Sequence, residues 1–299
     1  MFRLLSLLAC LAVSTPLWAD IDQGREFYLN GQYPEAIAIL RPLAEAGDPV
    51  AQNVLGDAYD EGRGVTQDIK LAEEWFLKSA AQGYVKAQYN LGLFYRNGRP
   101  GVPRNFAKAI RFYEAAIEQG YSFAMNNRAV MFLNGIGGKE DPASAAEMFQ
   151  RAVDLGNLDS MHNLADLYRT GEGVEMDTGR ALDLYQRGAK DGHPAALNAL
   201  GAMYENGIEV PADKIAALAI YRLAMERGYA TAAVNIAFLM SEEDAYWFDP
   251  VAGLAHCYWA EGQAETEAQQ QDITMDCRGL AARLSDDEVT RAHALAETF

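Results

Sequence analysis

Hydrophobic and polar positions along this chain follow two nested periods. The inner one is helical. In residues 51–59, Ala51, Leu55 and Tyr59 fall at i, i+4 and i+8, which is one face of a helix. The outer one is 36 residues long. The same face returns as Ala87, Leu91 and Tyr95, as Ser160, Leu164 and Tyr168, and as Ala196, Leu200 and Tyr204. More divergent copies open at Ala124 and Ala232, and the successive spacings are 36, 37, 36, 36 and 36. A small residue follows each central position (Gly56, Gly92, Ala129, Ala165, Gly201, Ala237) and leaves room for another helix to approach closely. This segment is helix A of each repeat.

A glycine turn follows, led by Gly62, Gly98, Gly135, Gly171 and Gly207. Asn97, Asn134 and Asn206 stand directly before it, which suits a helix end closed by a left-handed residue. Then comes a polar residue placed to cap a second helix: Asp68, Asn105, Asp141, Asp177, Asp213 and Asp249. Such side chains accept the unpaired N–H groups of a first turn and complement its dipole. Helix B shows small residues four after the cap, from Ala72 to Gly253, and then large apolar pairs such as Trp75–Phe76 and Leu184–Tyr185. A second glycine ends it at Gly83, Gly120, Gly156, Gly192 and Gly228. Neither helix buries its face alone, so the repeats must stack.

The predicted organisation is a tighter tetratricopeptide-like unit at 20–50 and full repeats at 51–86, 87–123, 124–159, 160–195 and 196–231. A degenerate sixth repeat follows at 232–262, where "SEEDAYWFDP" replaces the glycine turn, and capping helices occupy 263–299. The last helix is expected to open at Ser285, with Glu288 completing a capping box.

The string "AQNVLGDAYDEGRGVTQDIKLAEEWFLKSAAQG", residues 51–83, resembles the Sel1-like repeat, a relative of the tetratricopeptide repeat. That resemblance implies an all-α fold, an α/α solenoid that winds as a right-handed superhelix of antiparallel helix pairs. It also implies protein–protein interaction as an adaptor, assembly factor or regulator. Exported members of the family include periplasmic regulators, and cysteine-rich ones associated with β-lactam binding or hydrolysis. This chain departs from the cysteine-rich group, because repeats one to five contain no cysteine.

Residues 1–19 read as a secretory signal peptide: Arg3 is the basic start, Leu4–Val13 the apolar run, and cleavage follows Ala19. The expected location is the periplasm of a Gram-negative bacterium or the secreted medium. The run is short for a transmembrane span, and no other stretch of the mature chain qualifies. Removing the leader leaves Cys257 and Cys277, which in an oxidising compartment either form one disulfide or stay as buried thiols.

The formal charge is −17, and residues 241–299 carry 13 acids against 3 arginines. Clustered cations for phosphate are missing, so a nucleic-acid partner is not expected. The acidity serves solubility or meets a basic partner.

Catalytic sets are scarce. The histidines His162, His193, His256 and His293 make no HExxH and no pair at i, i+4. His256 and Cys257 are adjacent, so on a helix they diverge by about 100° and cannot pair as base and nucleophile. The glycine turn lacks a GKS or GKT sequel and follows a helix, not a strand, so it is no phosphate loop. No catalytic residue, metal or cofactor is assigned. An enzyme acting on β-lactam or cell-wall substrates is the alternative to a scaffold.

The third, fourth, seventh and tenth positions of helix A fall about 180–300° around the axis, away from the buried face. Asparagine dominates there. The candidate partner-binding residues are Tyr89, Asn90, Arg96, Asn126, Asn127, His162, Asn163, Arg169, Asn198 and Asn235. A ladder of amides can hold an extended peptide by its backbone, with Arg96 and Arg169 meeting acidic groups. The competing reading is that these asparagines join neighbouring repeats.

Overall fold

The structure, a computed structural model, describes residues 17–243 and 248–299. The predicted leader lies outside the described residues except for Leu17–Ala19, and so does the centre of the "SEEDAYWFDP" stretch. The described residues form sixteen helices and no strand. In chain order these are α1 (Leu17–Leu29), α2 (Tyr33–Glu45), α3 (Pro49–Glu61), α4 (Ile69–Ala81), α5 (Val85–Asn97), α6 (Phe106–Glu118), α7 (Ser122–Leu133) and α8 (Pro142–Asp154). They continue as α9 (Leu158–Thr170), α10 (Thr178–Lys190), α11 (Pro194–Asn206), α12 (Lys214–Met225), α13 (Ala230–Met240), α14 (Pro250–Gly262), α15 (Glu267–Ala281) and α16 (Asp286–Ala296). Within each unit successive helices pack on one another, as in α3 on α4 and α4 on α5, which is the all-α solenoid arrangement of helix pairs, and α16 packs on α14. None of the described helices is long and apolar enough to cross a membrane. Two compact units divide the chain at residues 124 and 125, inside α7.

The helix boundaries follow from capping. Asp68, Asn105, Asp141, Asp177, Asp213 and Asp249 each accept a backbone N–H of the first turn of helix B. Ser285 and Glu288 form the expected reciprocal box at α16. A second set of caps starts helix A: Asp48, Asn157 and His193 accept from Ala51, Ser160 and Ala196. The turns close on glycine in the left-handed region, as at Gly62 (φ 72°) and Gly171 (φ 75°). The extra residue of the second turn is absorbed by a small loop in which Arg99 and Val102 exchange backbone hydrogen bonds at 2.8 Å.

In the amino-terminal unit, Leu55, Leu91, Phe76 and Tyr113 form a core from which water is excluded. The small residue of helix A is required there: a Cβ on Gly92 would stand 2.4 Å from the Tyr113 ring, and one on Gly56 would stand 2.5 Å from Phe76. In the carboxy-terminal unit the same arrangement places Phe149, Leu164, Tyr185 and Leu200 in one cluster. Its distal end is built on α14, α15 and α16, where Cys257 and Cys277 form a disulfide with a Cα–Cα distance of 5.5 Å.

Candidate functional site

Helix A of the amino-terminal unit places its third, fourth and seventh positions in one concavity. On α5, the Asn90 Nδ2 donates to Asn53 Oδ1 at 3.1 Å and to Asp57 Oδ1 at 3.2 Å, both on α3. The Tyr89 ring meets Tyr121 edge-on at 5.2 Å and lies tilted against Tyr113 at 6.1 Å. Together with Tyr28 of α1 and Tyr84 at the start of α5, Asn53, Asp57, Tyr89, Asn90 and Tyr121 line a cavity of about 360 Å³. Arg25, Arg63 and Lys86 stand on its rim.

Asp57 is the acid of this cavity. Burial, with the charges of Glu61 and Asp60 added, pushes its carboxyl up to about 7, and Arg63 offsets this only in part. The rim arginines are engaged elsewhere: Arg25 lies 3.6 Å from Asp22, and Arg63 is paired with Glu61. The Tyr28 hydroxyl is buried and makes no hydrogen bond of good geometry, with Arg63 near enough to act on it. Arg96, the candidate cation of α5, donates from Nε to Asn97 Oδ1 at 3.1 Å.

In the carboxy-terminal unit the asparagines pair one repeat apart. Asn163 Nδ2 donates to Asn126 Oδ1 at 3.1 Å, and Asn235 Nδ2 donates to Asn198 Oδ1 at 2.8 Å. The Asn126 oxygen also accepts from the Ser160 hydroxyl at 2.9 Å. With Asn90 and Asn53, the pattern occurs three times: a fourth-position amide donates to the third position of the preceding repeat. Such amides hold the helix A faces in register. Asn127, beside this row, is half-buried.

Arg169 is engaged within the chain. It reaches Asp166 Oδ1 at 2.9 and 3.2 Å, and the Tyr185 hydroxyl donates to the same oxygen at 2.7 Å. His162 Nε2 lies 3.3 Å from the other oxygen, and burial holds the His162 imidazole below its ordinary value. His193 accepts from the Ala196 N–H on Nδ1 and meets Asp159 from Nε2 at 3.0 Å, so as the neutral ring it carries its proton on Nε2. These are positioning contacts of the α9–α11 faces.

The adjacent pair His256–Cys257 offers no nucleophile. Cys257 is in the disulfide, and His256 places Nδ1 2.7 Å from the Ala252 carbonyl oxygen. Among the described residues no group of three or more His, Cys, Asp or Glu side chains is arranged to hold a metal ion.

Sequence reasoning named Tyr89 and Asn90 but missed Asp57, Tyr28, Tyr84 and Tyr121. Asp57 was legible as a seventh-position acid on the same arc. The tyrosines were not, because Tyr28 belongs to the divergent first helix pair, and Tyr84 and Tyr121 stand at the entries to helices, outside the repeat's helix A pattern.

The family model described as "Sel1 repeat" matches residues 49–84, 85–121, 122–157, 158–193 and 194–229, each opening two residues before the predicted boundary. Among solved structures, a Sel1 repeat protein from Oxalobacter formigenes is similar over 83% of this chain and 98% of its own, with 29% identity and a TM-score of 0.72. A protective antigen present in uropathogenic Escherichia coli, displaying an SLR fold, is similar over 93% of this chain and 60% of its own, with 27% identity and a TM-score of 0.66. The exopolysaccharide production negative regulator of Rhizobium leguminosarum is 32% identical over 135 residues, 41% of this chain and 51% of that protein. The chain spans less than a quarter of the length of the first curated relatives it matches.

Proposed function

We propose, on the premise that this chain belongs to the Sel1 repeat family, that it is a non-enzymatic exported scaffold that binds a protein or peptide on its helix A faces and acts as an adaptor or regulator. One observation carries the reading. The candidate arc opens to solvent in the cavity at α1, α3 and α5, and four tyrosines and the amides of Asn53 and Asn90 are among its walls. Such walls suit protein recognition, since tyrosine offers a rigid apolar body with a polar tip. The similarity to a negative regulator of exopolysaccharide production supports a regulatory role. The leader at residues 1–19 supports export to the periplasm.

Photo-crosslinking tests the binding face. A benzophenone side chain placed at Tyr89 or Tyr121 should trap a partner in living cells. The same group at Arg111, exposed on α6, should not. Equal yields at all three positions would remove the helix A assignment. Export is tested separately by fusing the leader to a phosphatase that is active only outside the cytoplasm; an inactive fusion removes that part of the reading.

A further inference from the structure

Equivalent positions in different repeats meet equivalent surroundings unless something has changed them. At the seventh position of helix A, two repeats carry the same residue in opposite situations. Asp166 on α9 is answered on every side, by Arg169 at 2.9 Å, by the Tyr185 hydroxyl at 2.7 Å and by His162 at 3.3 Å. Asp57 is its counterpart on α3, and each of those groups has been replaced. Asp60 stands where Arg169 would be, Phe76 where Tyr185 would be, and Asn53 where His162 would be. Asp60 brings no help, because its own carboxylate holds Arg99 by contacts of 2.7–3.0 Å. Among the described residues no lysine or arginine stands within ion-pair distance of Asp57, which keeps a single hydrogen bond, from Asn90 at 3.2 Å.

A half-buried carboxylate without a cation is an unfavourable arrangement. Its raised affinity for a proton expresses that cost, which the more distant Arg63 offsets only in part. A perturbed acid in a cleft is a candidate for a binding role. The surroundings point to what the ligand supplies. Tyr28, Tyr84, Tyr89 and Tyr121 line the cavity, and aromatic faces attract cations. The buried Tyr28 hydroxyl has an oxygen without a good donor. An ammonium or guanidinium group carries donors and no acceptor, so it satisfies both this oxygen and the carboxylate.

We infer that this cavity of the amino-terminal unit takes a basic side chain, lysine or arginine, from an extended segment of a protein partner, with Asp57 as counter-charge and the tyrosines as walls. The inference rests on the binding-face reading above and names the chemistry of its ligand. Arg25 and Arg63 do not oppose it, because each is already paired with an acid. Lys86 is exposed, and solvent and salt screen its repulsion. The net charge of −17 draws basic segments toward the chain from a distance.

The test uses capped extended peptides that differ only in a central lysine, arginine, norleucine or glutamate. Their affinities for the full chain, for Asp57→Asn and for Asp166→Asn are read by fluorescence anisotropy, with helicity checked by circular dichroism. The lysine and arginine peptides should bind at least about tenfold more tightly than norleucine, which corresponds to about 1.4 kcal/mol. That preference should vanish in Asp57→Asn and persist in Asp166→Asn. A preference that survives Asp57→Asn overturns the counter-charge role and leaves the binding face standing, as continued crosslinking at Tyr89 would report. Tightest binding of the glutamate peptide overturns the inference outright. No binding of any peptide by the unmutated chain, together with no crosslinks at Tyr89, overturns both readings.

Discussion

Replacing Gly92 by alanine sets two known effects against each other. Gly92 lies inside α5, where helix propensity favours alanine by about 1 kcal/mol. Packing opposes it. The new Cβ would stand 2.4 Å from Cδ1 and Cε1 of Tyr113 and 2.9 Å from its Cζ. Comfortable carbon–carbon contact begins near 3.5 Å, so the ring or the helix must retreat by about 1 Å. Tyr113 is fully buried and braced against Tyr89, so it has no free space to swing into. Overpacking of this kind costs about 1–3 kcal/mol. Ala129 and Ala165 fill the same slot in repeats three and four, where the methyl is buried in the core, so the slot itself is not closed to alanine. The expected net loss is therefore about 1 kcal/mol, not the top of the range. Gly279→Ala is the matched control. It lies inside α15 with nothing within 4 Å of its Cβ, so it should stabilise by about 0.5–1 kcal/mol through propensity alone. Native-state hydrogen exchange reads the opening free energy of each helix separately, which matters in a chain of two compact units. If amides of α5 are as well protected in Gly92→Ala as in the parent, the close-approach argument is wrong.

Three other outcomes follow from the same structure. Glu209 has φ 60° where most other repeats carry glycine, and its carboxylate accepts from the Thr178 hydroxyl. Thermal melts should rank Glu209→Gly above the parent, which gains about 1 kcal/mol of relieved strain less an exposed hydrogen bond. Glu209→Ala should fall below it, and an inverted order would refute the strain. Replacing Cys257 and Cys277 together by alanine should destabilise the carboxy-terminal unit by about 3 kcal/mol, the chain-entropy value for their separation of 20, read by urea unfolding. Asp57 has a folded-state pKa raised from 3.8 to about 7, so the stability it contributes is complete below pH 3.8 and is lost as pH rises toward 7. Asp57→Asn should remove that slope and be the more stable form above pH 7. Equal pH profiles for the two would remove the claim.

The fold was legible in the sequence because repetition multiplies weak signals. A single Asp before an apolar run is an ambiguous cap, but Asp68, Asp141, Asp177, Asp213 and Asp249 in one register are not. The same averaging hid the site. The Asn90, Asn163 and Asn235 side chains recur because they bond to the preceding repeat, so their recurrence pointed toward packing as much as binding. The caps Asp48, Asn157 and His193 escaped notice because they differ in residue type while doing the same work. Arg169 drew attention as a candidate partner contact, yet Asp166, three residues before it on the same turn of helix, already answers its charge. Asp57 was passed over because an acid on a solvent-facing arc looks ordinary until its missing neighbours are counted.

Those missing neighbours can be restored one at a time, and Phe76→Tyr is the cleanest restoration. Phe76 occupies the slot of Tyr185, whose hydroxyl reaches Asp166 at 2.7 Å, and of Tyr221, whose hydroxyl reaches Glu205 at the same distance. The change adds one oxygen to a ring that already fits, 2% exposed and seated against the face of α3 beside Gly56. A hydroxyl there should donate to Asp57 and stabilise its ionised form. A hydrogen bond to a charged group contributes about 1.5–3 kcal/mol, and about 1.4 kcal/mol corresponds to one pH unit. The Asp57 titration, followed by carboxyl-carbon NMR, should therefore fall from about 7 by about one pH unit or more. The preference for a lysine-bearing peptide should weaken with it, because part of what the ligand supplies is now supplied by the chain. An unmoved titration in a folded Phe76→Tyr protein would mean that repeat equivalence does not extend to these side chains. The comparison between Asp57 and Asp166 would then lose its force.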